Sequence, residues 1–170
     1  MAVIINTTIE SIHKALGKKI SIKELEQTLF DMGFELEENE DKTLTIELTP
    51  ERLDLLSLQG FVRAINCFKY GKEVKTDYKL KNNNYEVNVT KEVKDVRPYT
   101  VCAVVKNLKI DEEKLLQIID LQEKLHSMLA RGREKGAIGV YPLDKIKMPI
   151  TYTAANPKNI KFIPLGMSKV

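Results

Sequence analysis

The sequence predicts an α+β fold in two parts, a small helix–strand domain followed by a second, mixed set of helices and strands. Two segments, Arg52 to Gly71 and Asp111 to Leu129, place apolar residues at helical spacing. Others, Thr43 to Leu48 and Tyr85 to Thr90, read as short strands, the second alternating as a half-buried one does. Between the two sets, Lys72 to Asn84 is rich in Lys and Asn and has no apolar period. These observations place an amino-terminal domain at 1–75, a linker at 76–84 and a second region at 85–170.

The elements follow in order. Met1 to Asn6 reads as a strand. Thr7-Thr8-Ile9-Glu10 fits a capping box, and the short helix it opens is expected to stop at Gly17. Ser21-Ile22-Lys23-Glu24 is a second capping box, opening a helix that carries Leu25, Leu29 and Phe30 inward and ends at Gly33. Phe34 to Glu38 and Thr43 to Leu48 flank the acidic turn Asn39-Glu40-Asp41-Lys42 as a hairpin, a solvated turn rather than a metal site. In the Arg52–Gly71 helix, Leu58, Phe61, Val62, Ile65 and Phe68 share one face.

Beyond the linker, Tyr99 to Val105 is a nearly continuous apolar run, expected as a central strand buried on both faces. Further strands are expected at Ala137–Tyr141, Ile150–Ala154 and Lys161–Leu165, punctuated by Pro142, Pro149 and Pro157. The helix between them begins with Asp111 as N-cap, Glu112 and Glu113 in the first turn and Ile110 placed to staple onto Leu115. Its apolar stripe is Leu115, Ile118, Ile119, Leu125 and Leu129, and Gln122 and His126 lie in the middle of it. A buried amide without partners costs about 1–3 kcal/mol, so Gln122 is either a satisfied core amide or part of a site. The helix runs into the basic turn Arg131, Gly132, Arg133, Glu134, Lys135, Gly136. Gly132 is expected to turn the chain there and fold the Arg133 guanidinium back. A helix with a polar spot on its buried face, then a basic loop and a strand, is a way to build a pocket.

With 170 residues, 43% of them apolar and 30% charged, the chain has material for real cores. No apolar run approaches the ~20 residues of a membrane span, and the AVIIN amino terminus lacks the form of a signal sequence. A cytoplasmic location is expected. Cys67 and Cys102 sit in apolar segments and are expected as buried, reduced thiols; with only His13 and His126 beside them, zinc is not expected. Net charge is +3. Up to Asn82 there are 12 Lys and Arg against 14 Asp and Glu, and after it 15 against 10, so the second part is mildly basic. A phosphate-facing surface and a lysine-rich solvated one both fit that balance.

The stretch LQEKLHSMLARGREKGAIGVYPLDKI, with RPYTVCAVVKNLKI before it and ITYTAANPKNIKFIPLG after it, resembles the phenylalanyl-tRNA synthetase beta subunit. The likeness is to the archaeal and eukaryotic cytosolic type, in the amino-terminal half of its editing domain. TPERLDLLSLQGFVRAI resembles a further motif of that subunit through Arg52, Asp54, Leu55, Leu56, Ser57, Gly60 and Arg63, with Glu51 and Gln59 departing from it. Arg52 and Asp54 there read as fixing the turn into the helix.

The resemblance implies a reason for a second site. A pocket shaped for phenylalanine cannot strongly reject tyrosine, which only adds a hydroxyl, so the family hydrolyses tyrosine from mischarged tRNA. The residues matching its editing site are Gln122 and Arg133, with Arg133 placed to hold a phosphate or orient the ester. His126 reads as packed rather than as a general base. In the family the editing domain continues past the matching residues, and later modules bind magnesium, contact tRNA and pair with the alpha subunit. The resemblance thus implies an alpha2–beta2 heterotetramer acting on tRNA(Phe), with ATP and magnesium used by the whole synthetase and no cofactor held by these residues. It also implies that the isolated chain is inactive. A non-catalytic RNA-binding or subunit-interaction module is the alternative.

Overall fold

The computed structural model describes residues 3–73, 77–81, 83–163 and 166–168. Strand β1 (Val3–Thr8) leads into helix α1 (Ile9–Leu16), capped by the Thr8 hydroxyl accepting from the Ser11 amide at 3.2 Å and closed by left-handed Gly17. Helix α2 (Ile22–Asp31) starts where expected, with Ser21 Oγ accepting from Glu24 N. Strands β2 (Glu35–Glu38) and β3 (Thr43–Leu48) form the hairpin. In its turn Asp41 accepts from the backbone and hydroxyl of Thr43, and these bonds hold its carboxyl below the usual range. That is a self-satisfied turn.

The sheet order is β1-β3-β2, all antiparallel, with Ile5 opposite Ile46 and Val3 opposite Leu48. Alternation sends Leu44, Ile46 and Leu48 of the central strand to one face, where α1, α2 and helix α3 (Leu58–Tyr70) supply Ile12, Leu25, Leu29, Phe61 and Ile65. A short 3-10 turn, Leu53–Leu55, precedes α3 and buries Leu55 and Leu56. Arg52 grips Asp54 bidentately (Nε–Oδ1 2.9 Å, Nη2–Oδ2 2.8 Å), which fixes the turn into the helix as its sequence pattern suggests. Ser57 caps α3 through Gly60 N. A Cβ on Gly60 would stand 1.9 Å from the Asp54 carbonyl oxygen, so only glycine allows this approach.

Helix α4 (Glu112–Ser127) packs Leu121, Leu125 and Met128 against this same core. Lys14 pairs with Glu113, and Gln59 donates to Gln117. Residues 1–78 and 109–139 therefore group as one unit, and 79–108 with 140–170 as another. In space α4 goes with the first segment of the chain, whereas the linear division at 76–84 puts it with the second. The second unit contains strands β4 (Val87–Val89) and β5 (Ile150–Tyr152), paired in parallel, and a Tyr152 hydroxyl donating to Arg97 O. Among the described residues no helix is long and apolar enough to cross a membrane.

Several expectations are corrected. Residues 99–105 and 137–141 form no strand, and Tyr99 and Val101 are 88% and 97% exposed. An all-apolar strand needs sheet neighbours on both edges, and the described part of the second unit offers only a two-stranded ladder. Residues 161–163 are likewise not a strand, while 164 and 165, like Met1 and Ala2, lie outside the described residues. Phe30 and Phe68 are exposed: Phe30 lies about 140° round α2 from Leu25, off its buried face, and Phe68 lines an open cleft beside Asp31 and Arg63. Thr28 takes the buried position on α2, its hydroxyl donating to Glu24 O. On α4, Leu115 and Ile119 stay about half exposed, and Leu129, past its end, is exposed. The helix is apolar on more than one side, so its partner, not its period, selects the buried face. Both cysteines are exposed, each on a stretch whose neighbours do not close over it.

Candidate functional site

Helix α4 ends in a sharp reversal. Asp111 caps its start by accepting from Lys114 N at 2.9 Å, and Met128 closes its end. Three consecutive residues then adopt left-handed backbone: Arg131 (φ 48°), Gly132 (φ 66°) and Arg133 (φ 70°). Two of these are not glycine, which costs about 1–2 kcal/mol each. Backbone bonds hold the turn: Ala130 N to Leu125 O at 3.0 Å, Gly132 N to His126 O at 2.8 Å and Lys135 N to Ala130 O at 2.9 Å. Arg133 N also points at His126 O, at 3.3 Å.

The reversal brings the Arg133 guanidinium back onto the helix. Its Nη2 donates to Glu123 Oε1 at 2.5 Å, between residues ten positions apart that a straight helix would separate by about 15 Å. Hydrogen bonding from Arg133 holds the Glu123 carboxyl below the usual range, with a smaller contribution from His126. His126 is 2% exposed. Its Nε2 accepts the Ile138 amide at 2.8 Å and its Nδ1 lies 3.4 Å from Glu123 Oε1. The ring is therefore neutral and protonated on Nδ1, the tautomer these partners require.

Gln122 is half-buried, and among the described residues its amide forms no hydrogen bond. Of the residues expected at the site, Arg133 is joined by contacts to Glu123 and His126, while Gln122 sits one position along the helix without a bond to Arg133. Arg131, Arg133 and Lys135 are all exposed, a basic rim suited to an anion. The expectation that His126 is packed holds. Glu123 was not singled out in the sequence; its only signal was the spacing of an acid three residues before a histidine on one helix face. Two open clefts, of about 740 and 410 Å³, lie on the first core and include neither Gln122 nor Arg133. Among the described residues no cluster of three His, Cys, Asp or Glu could hold a metal ion.

Comparison with known proteins decides the family. Residues 2–72 match the family model described as the Phe-tRNA synthetase beta subunit B1 domain. The chain is 35% identical to the phenylalanine–tRNA ligase beta subunit of Methanosphaera stadtmanae over 162 residues, 95% of this chain and 29% of that protein. This chain belongs to the phenylalanyl-tRNA synthetase beta-subunit family. The beta subunit of Sulfolobus acidocaldarius is 40% identical, with 89% of this chain and 28% of that protein covered. That of Saccharomyces cerevisiae is 33% identical, with 91% and 27% covered. An N-terminal fragment of the beta subunit from Pyrococcus horikoshii has the same fold, at a TM-score of 0.83 and 34% identity over 98% of this chain and 49% of that fragment. The α+β architecture is thus that of the amino-terminal part of the beta subunit, and the chain spans under a third of the length of these curated relatives.

Proposed function

We propose that this chain forms one wall of a site that hydrolyses tyrosine from mischarged tRNA(Phe), within a phenylalanine–tRNA ligase beta subunit that works with an alpha subunit. The observation that supports it is the Arg133 guanidinium, folded back by three left-handed residues and held beside Glu123, next along α4 to the half-buried Gln122 amide. A left-handed backbone at two arginines is costly, and a strained turn presenting a cation is what an anion site needs. Arg133 would exchange Glu123 for the phosphate of the tRNA terminus, a charge-assisted contact. Gln122 would offer its unbonded amide to the substrate, whose tyrosine hydroxyl distinguishes it from phenylalanine. The basic rim of Arg131 and Lys135 would contact the nucleic-acid backbone. ATP and magnesium belong in this reading to the charging reaction, carried by other parts of the synthetase.

The test uses the full-length beta subunit with its alpha partner. Arg133→Ala should slow release of tyrosine from tyrosyl-tRNA(Phe) about tenfold or more, the worth of roughly 1.5–3 kcal/mol from a charged hydrogen bond, with phenylalanine charging unchanged. Equal rates with and without Arg133 would sink the editing reading and leave a non-catalytic interaction module. The 170-residue chain alone should release no tyrosine, because one wall does not exclude water.

A further inference from the structure

His126 contacts the Arg133 turn through both its backbone carbonyl and its imidazole. We infer that His126 is the positioning residue of this site, tying both ends of the basic turn together so that the Arg133 guanidinium is presented in one place. The inference rests on the editing reading for its function, though not for its geometry.

Three connections meet at this one residue. Its carbonyl accepts from Gly132 N at 2.8 Å and from Arg133 N at 3.3 Å, which sets the entry to the left-handed stretch. Its Nε2 accepts from Ile138 N at 2.8 Å, which anchors the exit. Its Nδ1 faces, at 3.4 Å, the same Glu123 oxygen that receives the Arg133 guanidinium. The residues between those anchors, 131–135, are exposed and include two non-glycine residues at positive φ, so local preference does not hold the turn. Backbone bonds to the carbonyls of Leu125, His126 and Ala130 hold its entry, and a ring that is 2% exposed with partners on both nitrogens adds the anchor at its exit. An alanine here would leave the Ile138 amide without its acceptor and release the exit of the turn, with the backbone bonds at its entry kept.

The acceptor role also requires a neutral ring, since a protonated Nε2 meets the Ile138 N–H with a hydrogen of its own. The charged groups facing the imidazole are the Glu123 carboxylate on α4 and the Arg133 guanidinium paired to it from the turn. Glutamine at this position keeps an oxygen at the reach of Nε2 and cannot take up a proton, so it separates positioning from mere filling of space.

The experiment has two readouts. In the full-length beta subunit with its alpha partner, His126→Ala should lower kcat/KM for tyrosyl-tRNA(Phe) deacylation about tenfold with phenylalanine charging unchanged. His126→Gln should restore the rate to within about threefold. In the 170-residue chain, amide exchange at Ile138 should speed up at least tenfold in His126→Ala and stay near wild type in His126→Gln. If Arg133→Ala abolishes deacylation while His126→Ala leaves it within twofold, the positioning role falls and the editing reading stands. If Arg133→Ala has no effect, the editing reading falls, and unchanged exchange in His126→Ala would then remove the geometric role as well.

Discussion

Two segments that both read as strands, Thr43–Leu48 and residues 99–105, end in opposite surroundings. The first is the middle strand of β1-β3-β2, and its Leu44, Ile46 and Leu48 are at most 1% exposed. The second forms no strand, and its Val101 is 97% exposed. Residues 99–105 are the more apolar of the two, so hydrophobicity alone does not decide burial. β3 has a hydrogen-bonding neighbour on each edge and three helices over one face, so its alternation is converted into burial. The described part of the second unit supplies one two-stranded pairing and a single buried apolar side chain, Val93. Two strands alone are marginal in water.

The sharpest way to break the contrast is to damage the well-packed region where it has no slack. Gly60→Ala puts a methyl where only 1.9 Å separates it from a backbone oxygen, so α3 must move off the turn before it. Thermal or denaturant unfolding should show a loss of about 4 kcal/mol or more, at the upper end for single substitutions; a loss under about 1 kcal/mol would mean the turn relaxes freely.

Next in size is a matched pair. Ile46→Ala should cost about 3 kcal/mol through lost burial and the cavity left behind. Val101→Ala should cost less than about 0.5 kcal/mol, as at an exposed position. A cost of 1 kcal/mol or more for Val101→Ala, read from the same denaturation curves, would show that residues 99–105 are covered in solution.

The smallest expected effect concerns Asp54. Its hydrogen bonds from Arg52 hold the carboxyl below the usual range, so the folded value lies under the unfolded one of about 3.9. The pair's contribution is present above pH ~4 and is lost as pH falls through the folded value. Asp54 is 46% exposed on its side chain, so Asp54→Asn should cost no more than about 1 kcal/mol at pH 7. Below the folded value the two proteins should unfold at the same midpoint; a persistent gap there would assign the effect to packing.

Legibility divides along the same line. The caps at Ser21 and Asp111 and the left-handed stops at Gly17 and Gly71 are contacts within a few residues, and the text of the chain contains them whole; the box read from Thr7 caps one residue later, at Thr8, and the helix read from Arg52 starts only after Ser57. Phe68 carries the right period and still borders an open cleft, whereas Phe30 lies off the face that Leu25 and Leu29 share. At the site, Gly132 announced a reversal and the structure places Arg133 back on α4. Glu123 and Ile138 drew no notice, since their link to His126 forms only once the turn has closed.

What the sequence by itself determined is therefore local: where helices start and stop, which hairpin forms, and which turn carries a cation. These depend on backbone preferences and on bonds spanning three or four residues, which the order of residues encodes directly. Only the tertiary structure decided which face of α4 is buried, that α4 joins the first core, and that His126 gathers both ends of the Arg133 turn. Burial is a property of pairs of surfaces, and an apolar stripe states that it needs a partner without naming one.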